Sequence, residues 1–464
     1  MDLTAQFEEG LKYLEKGDDT LALNNFTKII EIDPNSGKAW YYKGYIENRT
    51  KKYNESLKSL TKATLIEPTH QKAHLQRGFS LYHLKQYSDA ISEFDFVIDF
   101  DRKELSAWLF KGHCQNALKK YKEALDSYNY VVILDPNYLP GYLHRSRLYL
   151  RLKRPIDALK AIDKAIELEP HDIRAWLIKG SALNTLKRYH EGRLCYDKAI
   201  ELEPDNVDAW FHRGYSFEKL RNFNEAHSSY DKVLDYNPDD SNTWKRKGNI
   251  HLELLQFEDA LACFEHSLQK SANDHITLKK SGLTLLNLKR YEEALSYFDR
   301  SIALNSKDPD TWYYRGIALQ KLERYDAAHE SYNKAIDLDG WRSEAWFNKG
   351  SIHRFKREYR EALKCFDNTL DLDPKNSVAW FNKGWIYSEL IRHPEAIFCY
   401  DKTLEINPYS VGAWRNKGIS LDELGNRLEA VKCFKRAHEL DPENEELWGE
   451  KDLHARFLIR QNKA

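Results

Sequence analysis

The sequence predicts an all-α protein, a solenoid of thirteen helix-turn-helix repeats that are each 34 residues long. Ten of the twelve tryptophans fall in one phase of that period. Prolines share a second phase, with spacings of 34 or a multiple of 34, at Pro34, Pro68, Pro136, Pro170, Pro204, Pro238, Pro374, Pro408 and Pro442. A fixed period of this length indicates stacked supersecondary units rather than separate globular domains.

Counting proline as repeat position 32, the repeats begin at residues 3, 37, 71, 105, 139, 173, 207, 241, 275, 309, 343, 377 and 411. Position 4 is usually tryptophan, and position 8 is glycine in every repeat except the fifth, which has Ser146. Position 20 is alanine and position 24 is aromatic in eleven repeats each. After residue 444, a polar tail over residues 445–464 predicts a C-terminal capping helix that buries Trp448.

These positions have helical spacing, because positions 4, 8 and 11 share one face of a first helix and positions 20, 24 and 27 one face of a second. We expect the small residues at positions 8 and 20 to let the two backbones approach. We expect the rings at positions 4 and 24 to fill the space beside them. Proline at position 32 is expected to end the second helix.

Composition argues against several functional classes. Lys and Arg total 71 and Asp and Glu total 72, so bulk charge gives no indication of nucleic-acid or anionic-membrane binding. The chain shows no secretion signal at its start and no run of 18 apolar residues. Six cysteines without a CxxC pair predict neither disulfides nor a zinc site. We therefore expect a cytoplasmic protein without metal or cofactor.

The pattern W-x-x-x-G, then A-x-x-x-[FY], then P, in steps of 34, resembles the tetratricopeptide repeat, and the resemblance covers residues 3–444. Segments such as AWFNKG and CYDKTLEINP are similar to prokaryotic, and especially archaeal, arrays of this family. The resemblance implies a right-handed α-α superhelix whose first helices line a concave groove. It also implies that the groove holds a partner's peptide or helix.

In the family, positions 2, 5, 6, 9, 12 and 13 of the first helix tend to face the groove. Asn348, Asn382 and Asn416 all fall at position 6 of successive repeats. They resemble the asparagine ladder in the superhelical arm of O-GlcNAc transferases, which holds a peptide main chain. An amide side chain offers both a donor and an acceptor to such a chain. Aromatic anchors are needed as well, and the candidates are Phe347, Phe381 and Trp385, which ordinary packing would also explain.

A second candidate region lies in repeats 8 and 9. Lys245, Arg246, Lys279 and Lys280 occupy positions 5 and 6, and Asn249 follows at position 9. Lys245 and Asn249 resemble the opening pair of the carboxylate clamp in chaperone cochaperones, although the next repeats depart from that pattern. An acidic peptide segment is the predicted ligand, and solvated surface is the alternative.

Two further basic features remain. One is a stretch in repeats 4 to 6 formed by His113, His144, Arg147, Arg151 and Arg174. The other is Lys or Arg at position 7 in eleven repeats. This row either covers apolar surface and reaches acidic neighbours, such as the Asp or Glu at position 19, or forms a cationic stripe for an acidic ligand.

The repeats leave no room for a catalytic domain, and no HExxH, P-loop or GxGxxG motif occurs. The predicted function is therefore a non-catalytic scaffold that binds an extended peptide or a partner helix. Two alternatives stay open: RNA binding through groove cations and aromatics, and a receptor subunit for a separately encoded enzyme. The sequence does not specify the oligomeric state.

Overall fold

The computed structural model describes residues 3–442, and the capping helix expected over residues 445–464 lies outside them. The chain divides into two compact units, Met1–Pro238 and Asp239–Ala464. Within the described residues every regular element is an α-helix, which confirms the all-α class. None of the helices there is long and apolar enough to cross a membrane.

The first unit contains seven helical hairpins. Its helices are α1 (Leu3–Glu15), α2 (Asp19–Ile32), α3 (Gly37–Arg49), α4 (Tyr53–Ile66), α5 (Gln71–His83), α6 (Tyr87–Phe100), α7 (Leu105–Ala117), α8 (Tyr121–Leu134), α9 (Leu139–Arg151), α10 (Pro155–Leu168), α11 (Ile173–Thr185), α12 (Tyr189–Leu202), α13 (Val207–Lys219) and α14 (Phe223–Tyr236).

In the described part of the second unit there are six hairpins. Its helices are α15 (Ser241–Glu253), α16 (Phe257–Lys270), α17 (His275–Asn287), α18 (Tyr291–Leu304), α19 (Pro309–Lys321), α20 (Tyr325–Leu338), α21 (Ser343–Phe355), α22 (Tyr359–Leu372), α23 (Ser377–Glu389), α24 (His393–Ile406), α25 (Val411–Glu423) and α26 (Arg427–Leu440). In both units the first helix of a hairpin covers positions 1 to 13 and the second covers positions 17 to 30.

The contact that closes each hairpin joins positions 8 and 24. A Cβ added to Gly282 would lie 2.6 Å from the Phe298 ring, and one added to Gly214 would lie 2.6 Å from the Tyr230 ring. Glycine is therefore needed here for close approach. In the fifth repeat, which has Ser146, position 24 of the same hairpin is Ile162 rather than a ring. An aliphatic residue at position 24 does not by itself make room for a Cβ, since one added to Gly44 would lie 2.5 Å from Leu60.

Tryptophan at position 4 does not lie in the interior, contrary to the expectation from sequence. Its ring is only partly buried in every described repeat that has it, while position 3, usually alanine, is fully buried. The indole N–H donates to the carbonyl of position 32 in the turn before it. Examples are Trp176 to Pro170 at 2.8 Å and Trp312 to Ser306 at 3.0 Å. Since this bond also forms where proline is absent, it fixes the turn between repeats.

The turn inside each hairpin requires a left-handed backbone at position 15. Only two of the thirteen residues there are glycine, Gly17 and Gly425. Ile391 has φ 59° and Leu255 has φ 58°, conformations that bulky L-residues rarely adopt. A left-handed residue with a Cβ costs about 1 to 2 kcal/mol, so these turns are places where the fold overrides local preference.

Replacing Ile391 by glycine is expected to raise the free energy of unfolding by about 1 kcal/mol, because the strain at φ 59° disappears while the side chain is 78% exposed. Urea denaturation followed by circular dichroism measures the change. The matched control is Val378→Gly on the exposed face of α23, which should lower stability by a similar amount. Equal losses for both variants would contradict the strain argument.

The exception in repeat 5 predicts a pair of compensating substitutions in repeat 9. Gly282→Ser alone should destabilise the protein by about 1 to 3 kcal/mol, since the new Cβ meets the Phe298 ring. Adding Phe298→Ile reproduces the Ser146 and Ile162 pair and should recover part of that loss. A double-mutant cycle from urea denaturation measures the coupling; strictly additive effects would show that ring and glycine are not in obligatory contact.

Candidate functional site

A cavity of about 350 Å³ opens on the surface formed by the first helices of the first unit, which we call the first-helix face. It is lined by α5, α7 and α9 together with Tyr87 of α6 and Tyr128 of α8. Four of the five residues in the predicted basic stretch of repeats 4 to 6 line it: His113, His144, Arg147 and Arg151. We call it the His113–His144 cavity.

The two histidines form the inner wall of this cavity. Their rings meet edge to face with centroids 4.4 Å apart. His113 Nδ1 lies 2.8 Å from the Tyr128 hydroxyl, and His144 stacks on the Tyr128 ring. Burial lowers the pKa of His113 to about 3, with the neighbouring His144 adding to the shift. Burial, reinforced by Arg147 and Arg174, lowers the pKa of His144 to about 4. Both rings are therefore neutral at pH 7.

Two arginines stand at the rim of the cavity, one turn apart on α9. Arg147 and Arg151 are both exposed. Arg151 donates to Asn116 Oδ1 at 3.1 Å and lies over the Tyr121 ring, and neither arginine forms an ion pair within residues 3–442. No carboxylate lines the cavity. The fifth predicted residue, Arg174, is instead bound to Asp172, the N-cap residue of its own helix α11. The rim is thus positively charged and uncompensated.

A second cavity of about 170 Å³ repeats the arrangement two repeats later. It lies between α11 and α13 above Tyr196, which holds position 24 as Tyr128 does. Ser181, Asn184 and Thr185 form its wall, and its lining contains no lysine, arginine or carboxylate. We call it the Tyr196 cavity. Sequence reasoning missed it, although a tyrosine at position 24 followed by histidine at position 6 of the next repeat marks both cavities.

The three asparagines of the predicted ladder have different surroundings. Asn382 is 8% exposed and its amide donates to the Val378 carbonyl of its own helix at 2.7 Å. Asn348 is partly exposed, with its amide 3.5 Å from the Tyr313 hydroxyl, and Asn416 is partly exposed beside Tyr400. The structure therefore leaves Asn348 and Asn416 more accessible than Asn382, which is buried.

The predicted aromatic anchors are partly buried by packing. Phe347 contacts Phe366 with ring centroids 5.7 Å apart, and Phe381 contacts Tyr400 at 5.9 Å. Each is thus a first-helix ring set against the ring at position 24 of its own hairpin. Trp385 lies beneath the Arg354 guanidinium, 5.0 Å from the ring centroid. Their exposed edges remain available to a ligand, although their buried faces stabilise the hairpins.

In repeats 8 and 9 the predicted cations serve mainly to join neighbouring repeats. Lys245 bonds to Asp274 at 3.0 Å. Burial raises the pKa of the Asp274 carboxyl, but hydrogen bonds from Thr277 and Lys245 outweigh it, so the pKa lies below its usual value.

Lys279 bonds to Asp308 at 2.9 Å and to Asp310 at 3.2 Å, and Lys280 bonds to Asn249 at 2.5 Å. Arg246, the fourth cation, stands beside them at position 6. An acidic ligand at this region stays a prediction, and it would have to displace the carboxylates that already hold Lys245 and Lys279.

The Lys and Arg side chains at position 7 contact neighbouring residues within the array. Ten of these cations lie over the ring at position 4 of their own repeat; Lys417, for example, is 5.7 Å from the Trp414 centroid. Most also bond to an acid at position 25 of the preceding repeat rather than at position 19. The pairs are Lys111 with Asp95, Lys179 with Asp163, Arg213 with Asp197, Arg315 with Asp299, Lys383 with Asp367 and Lys417 with Asp401. More than half of the row is therefore paired inside the array, which argues against a continuous cationic stripe.

All six cysteines are buried free thiols. Burial raises the pKa of Cys195, Cys399 and Cys433 to about 11 in each case. Such thiols are protonated and poorly nucleophilic at pH 7. They pack between helices.

Tetratricopeptide repeat models match residues 37–70, 139–172 and 173–206, 195–228 and 365–398, 213–275 and 245–309, 309–340 and 343–376, and 411–444. Together these segments cover well over half of the chain. The chain belongs to the tetratricopeptide repeat family. Members are generally non-catalytic, and the assignment supports a protein-interaction scaffold. No curated protein sequence matches the chain significantly.

Several solved tetratricopeptide structures are similar to this chain. Cut9 in the APC/C hetero-tetramer Cut9-Hcn1 shares 14% identity over 97% of this chain and 94% of its own, with a TM-score of 0.39. MamA shares 24% sequence identity over 36% of this chain and 96% of its own, with a TM-score of 0.34. YrrB, described as a TPR protein with an unusual peptide-binding site, shares 20% sequence identity over 40% of this chain and 96% of its own. Its TM-score is 0.36. At such values the likeness does not extend to ligands.

The neutral histidine pair predicts that this tetratricopeptide array loses stability in mild acid. Below the unfolded pKa of about 6.5, the unfolded chain takes up protons that His113 and His144 cannot, so stability falls as pH decreases. At pH 5.5 the expected loss relative to pH 7.5 is on the order of 1 kcal/mol per histidine.

Urea denaturation at the two pH values measures this loss. His113→Asn, in which the amide can replace Nδ1 beside Tyr128, should reduce the pH dependence. His171→Asn, at an exposed histidine, should leave it unchanged. If both variants kept the full acid sensitivity, the histidine pair would not be its source.

Proposed function

We propose that this chain is a non-catalytic scaffold that binds an extended peptide, or a partner helix, along the first-helix face of its N-terminal unit. The observation that carries the proposal is the recurrence of one kind of cavity at equivalent repeat positions. The His113–His144 cavity and the Tyr196 cavity both lie above a tyrosine at position 24 and are lined by the first helices of that repeat and the next, with α5 also lining the first cavity. Cavities in one register suit side chains of one linear ligand.

The spacing of the cavities fits such a ligand. Equivalent helices of neighbouring repeats are about 10 Å apart, so cavities two repeats apart are separated by roughly 20 Å. An extended chain rises about 3.3 Å per residue. Side chains about six residues apart would therefore reach both cavities. Polar side chains lie within each cavity: Asn116 of α7 in the first, and Ser181 and Asn184 of α11 in the second.

A second peptide-binding segment is proposed in the other unit, at Asn348 and Asn416 with the exposed edges of Phe347, Phe381 and Trp385. Two amides contribute only about 1 kcal/mol each, so this segment would support binding rather than dominate it. Asn382 provides a control, because its amide is already bonded to Val378. The RNA alternative rests on the position 7 row, and internal pairing of that row removes its main support.

Selection from a displayed library of random 12-residue peptides on the full chain tests the proposal. We expect enriched peptides with two preferred positions about six residues apart. Ala117→Trp, which fills the His113–His144 cavity, should abolish one preference, and Ser181→Phe, which fills the Tyr196 cavity, should abolish the other.

The matched control is Asn287→Trp, at the same repeat position as Ala117 but in the second unit. It should select the wild-type peptides. The proposal is wrong if no peptide is enriched, or if the enriched peptides bind all three variants as tightly as the wild type. Asn348→Ala with Asn416→Ala should weaken binding only of peptides that bind to the second unit.

A further inference from the structure

We propose that the His113–His144 cavity binds an anionic side chain of the peptide, either a carboxylate or a phosphorylated residue; this rests on the proposed function. Two exposed arginines at its rim have no acidic partner within residues 3–442, and no carboxylate lines its wall. Nothing in the cavity therefore competes with an incoming oxyanion.

The contrast with the other cations of the array supports this assignment. Six of the eleven position 7 cations are bonded to acids of the preceding repeat. Lys245 and Lys279 are bonded to the acids that end their own repeats, and Arg174 is bonded to Asp172. In a chain with nearly equal numbers of acids and bases, a pair of arginines left without a carboxylate is a local excess of positive charge. That excess is concentrated where the surface is concave.

The geometry of the rim suits an oxyanion. Arg147 and Arg151 are four residues apart on α9, so both guanidinium groups stand on the same side of the helix. The planar fork of arginine matches the oxygens of carboxylate and phosphate groups with two parallel hydrogen bonds. Arg151 is already oriented by its bond to Asn116 and by the Tyr121 ring. One of the two forks is thus partly preorganised.

The inner wall adds neutral donors and apolar surface. His144 forms no hydrogen bond with residues 3–442, and its ring nitrogens are available to the ligand. The Tyr82 and Tyr87 rings complete the wall. The volume of about 350 Å³ lies within the range of small-ligand pockets and accommodates a phosphorylated or carboxylate side chain. The Tyr196 cavity has the same location in its repeats without any arginine, and serves as an internal comparison.

Fluorescent pools of nine-residue peptides test the inference on the full chain. Every position is degenerate except the centre, which is Glu, phosphoserine or phosphotyrosine, or the neutral counterpart Gln, Ser or Tyr. We expect at least one anionic pool to bind about tenfold tighter than its counterpart in fluorescence anisotropy, because hydrogen bonds to charged groups are the stronger ones. The Glu pool and the two phosphorylated pools distinguish carboxylate from phosphate.

The double variant Arg147→Gln with Arg151→Gln should remove this preference. Its control, Arg154→Gln with Arg188→Gln, makes the same charge change at arginines that are paired with Asp157 and Glu191. The control should keep the preference. Helical circular dichroism verifies that both variants are folded.

Phenyl phosphate, titrated by calorimetry, separates the two proposals because it needs no peptide-binding face. The anion site is wrong if the pools bind regardless of their central charge and phenyl phosphate binds equally to the wild type and the double variant. That result would leave the proposal of peptide binding intact. Peptide binding is wrong if no pool binds while phenyl phosphate binds in a way that depends on Arg147 and Arg151. The cavity would then bind an anion that is not part of a peptide. If neither the pools nor phenyl phosphate bind, both proposals are wrong.

Discussion

The whole structure depends on the contact between glycine at position 8 and the residue at position 24 of the same hairpin. A Cβ at Gly282 or Gly316 would lie within 2.6 Å of the facing ring, so the two helices can approach only because that Cβ is missing. The ring then fills the space between the backbones, and in Tyr128 and Tyr332 its hydroxyl reaches a first-helix side chain. A core contact inside each hairpin thus also determines which polar groups lie under the first-helix face.

Contacts between repeats add a second layer, in which tryptophan has a different role from the one its size suggests. The indole at position 4 bonds to the preceding turn through its N–H and lies beneath the position 7 cation, which in turn bonds to an acid of the preceding repeat. In repeat 12, for instance, Trp380 donates to Pro374 and lies 5.2 Å from the Lys383 amine, which is paired with Asp367. Each pair is worth little alone at the surface. Repetition along the array makes cation, ring and acid a regular connection between neighbours.

The periodic part of this structure could be predicted from sequence, and the part that depends on neighbouring repeats could not. Spacing along one helix fixes which positions share a face, so the hairpins and the packing of glycine on position 24 follow from the 34-residue period. Spacing does not say which side chain a residue meets in the next repeat. For that reason the acid at position 25 was missed in favour of position 19. For the same reason Asn382 was expected to face a ligand, although its amide is bonded to the Val378 carbonyl. The basic stretch around His113 was predicted by residue type, but its enclosure by tyrosines was not.

The location of the two cavities follows from which side chains fill the gap between successive first helices. In repeats 2 and 3, Asn48 bonds to the Gln76 carbonyl and side chain, which closes the gap. In repeats 8 and 9, Lys280 closes it by bonding to Asn249. Beside the His113–His144 cavity, Arg151 also bonds across successive first helices to Asn116, but position 13 is the small Ala117 and a cavity remains there. Because the scaffold is the same in every repeat, a few side chains on the first helices decide where a ligand can enter, and the array can carry different sites without any change of fold.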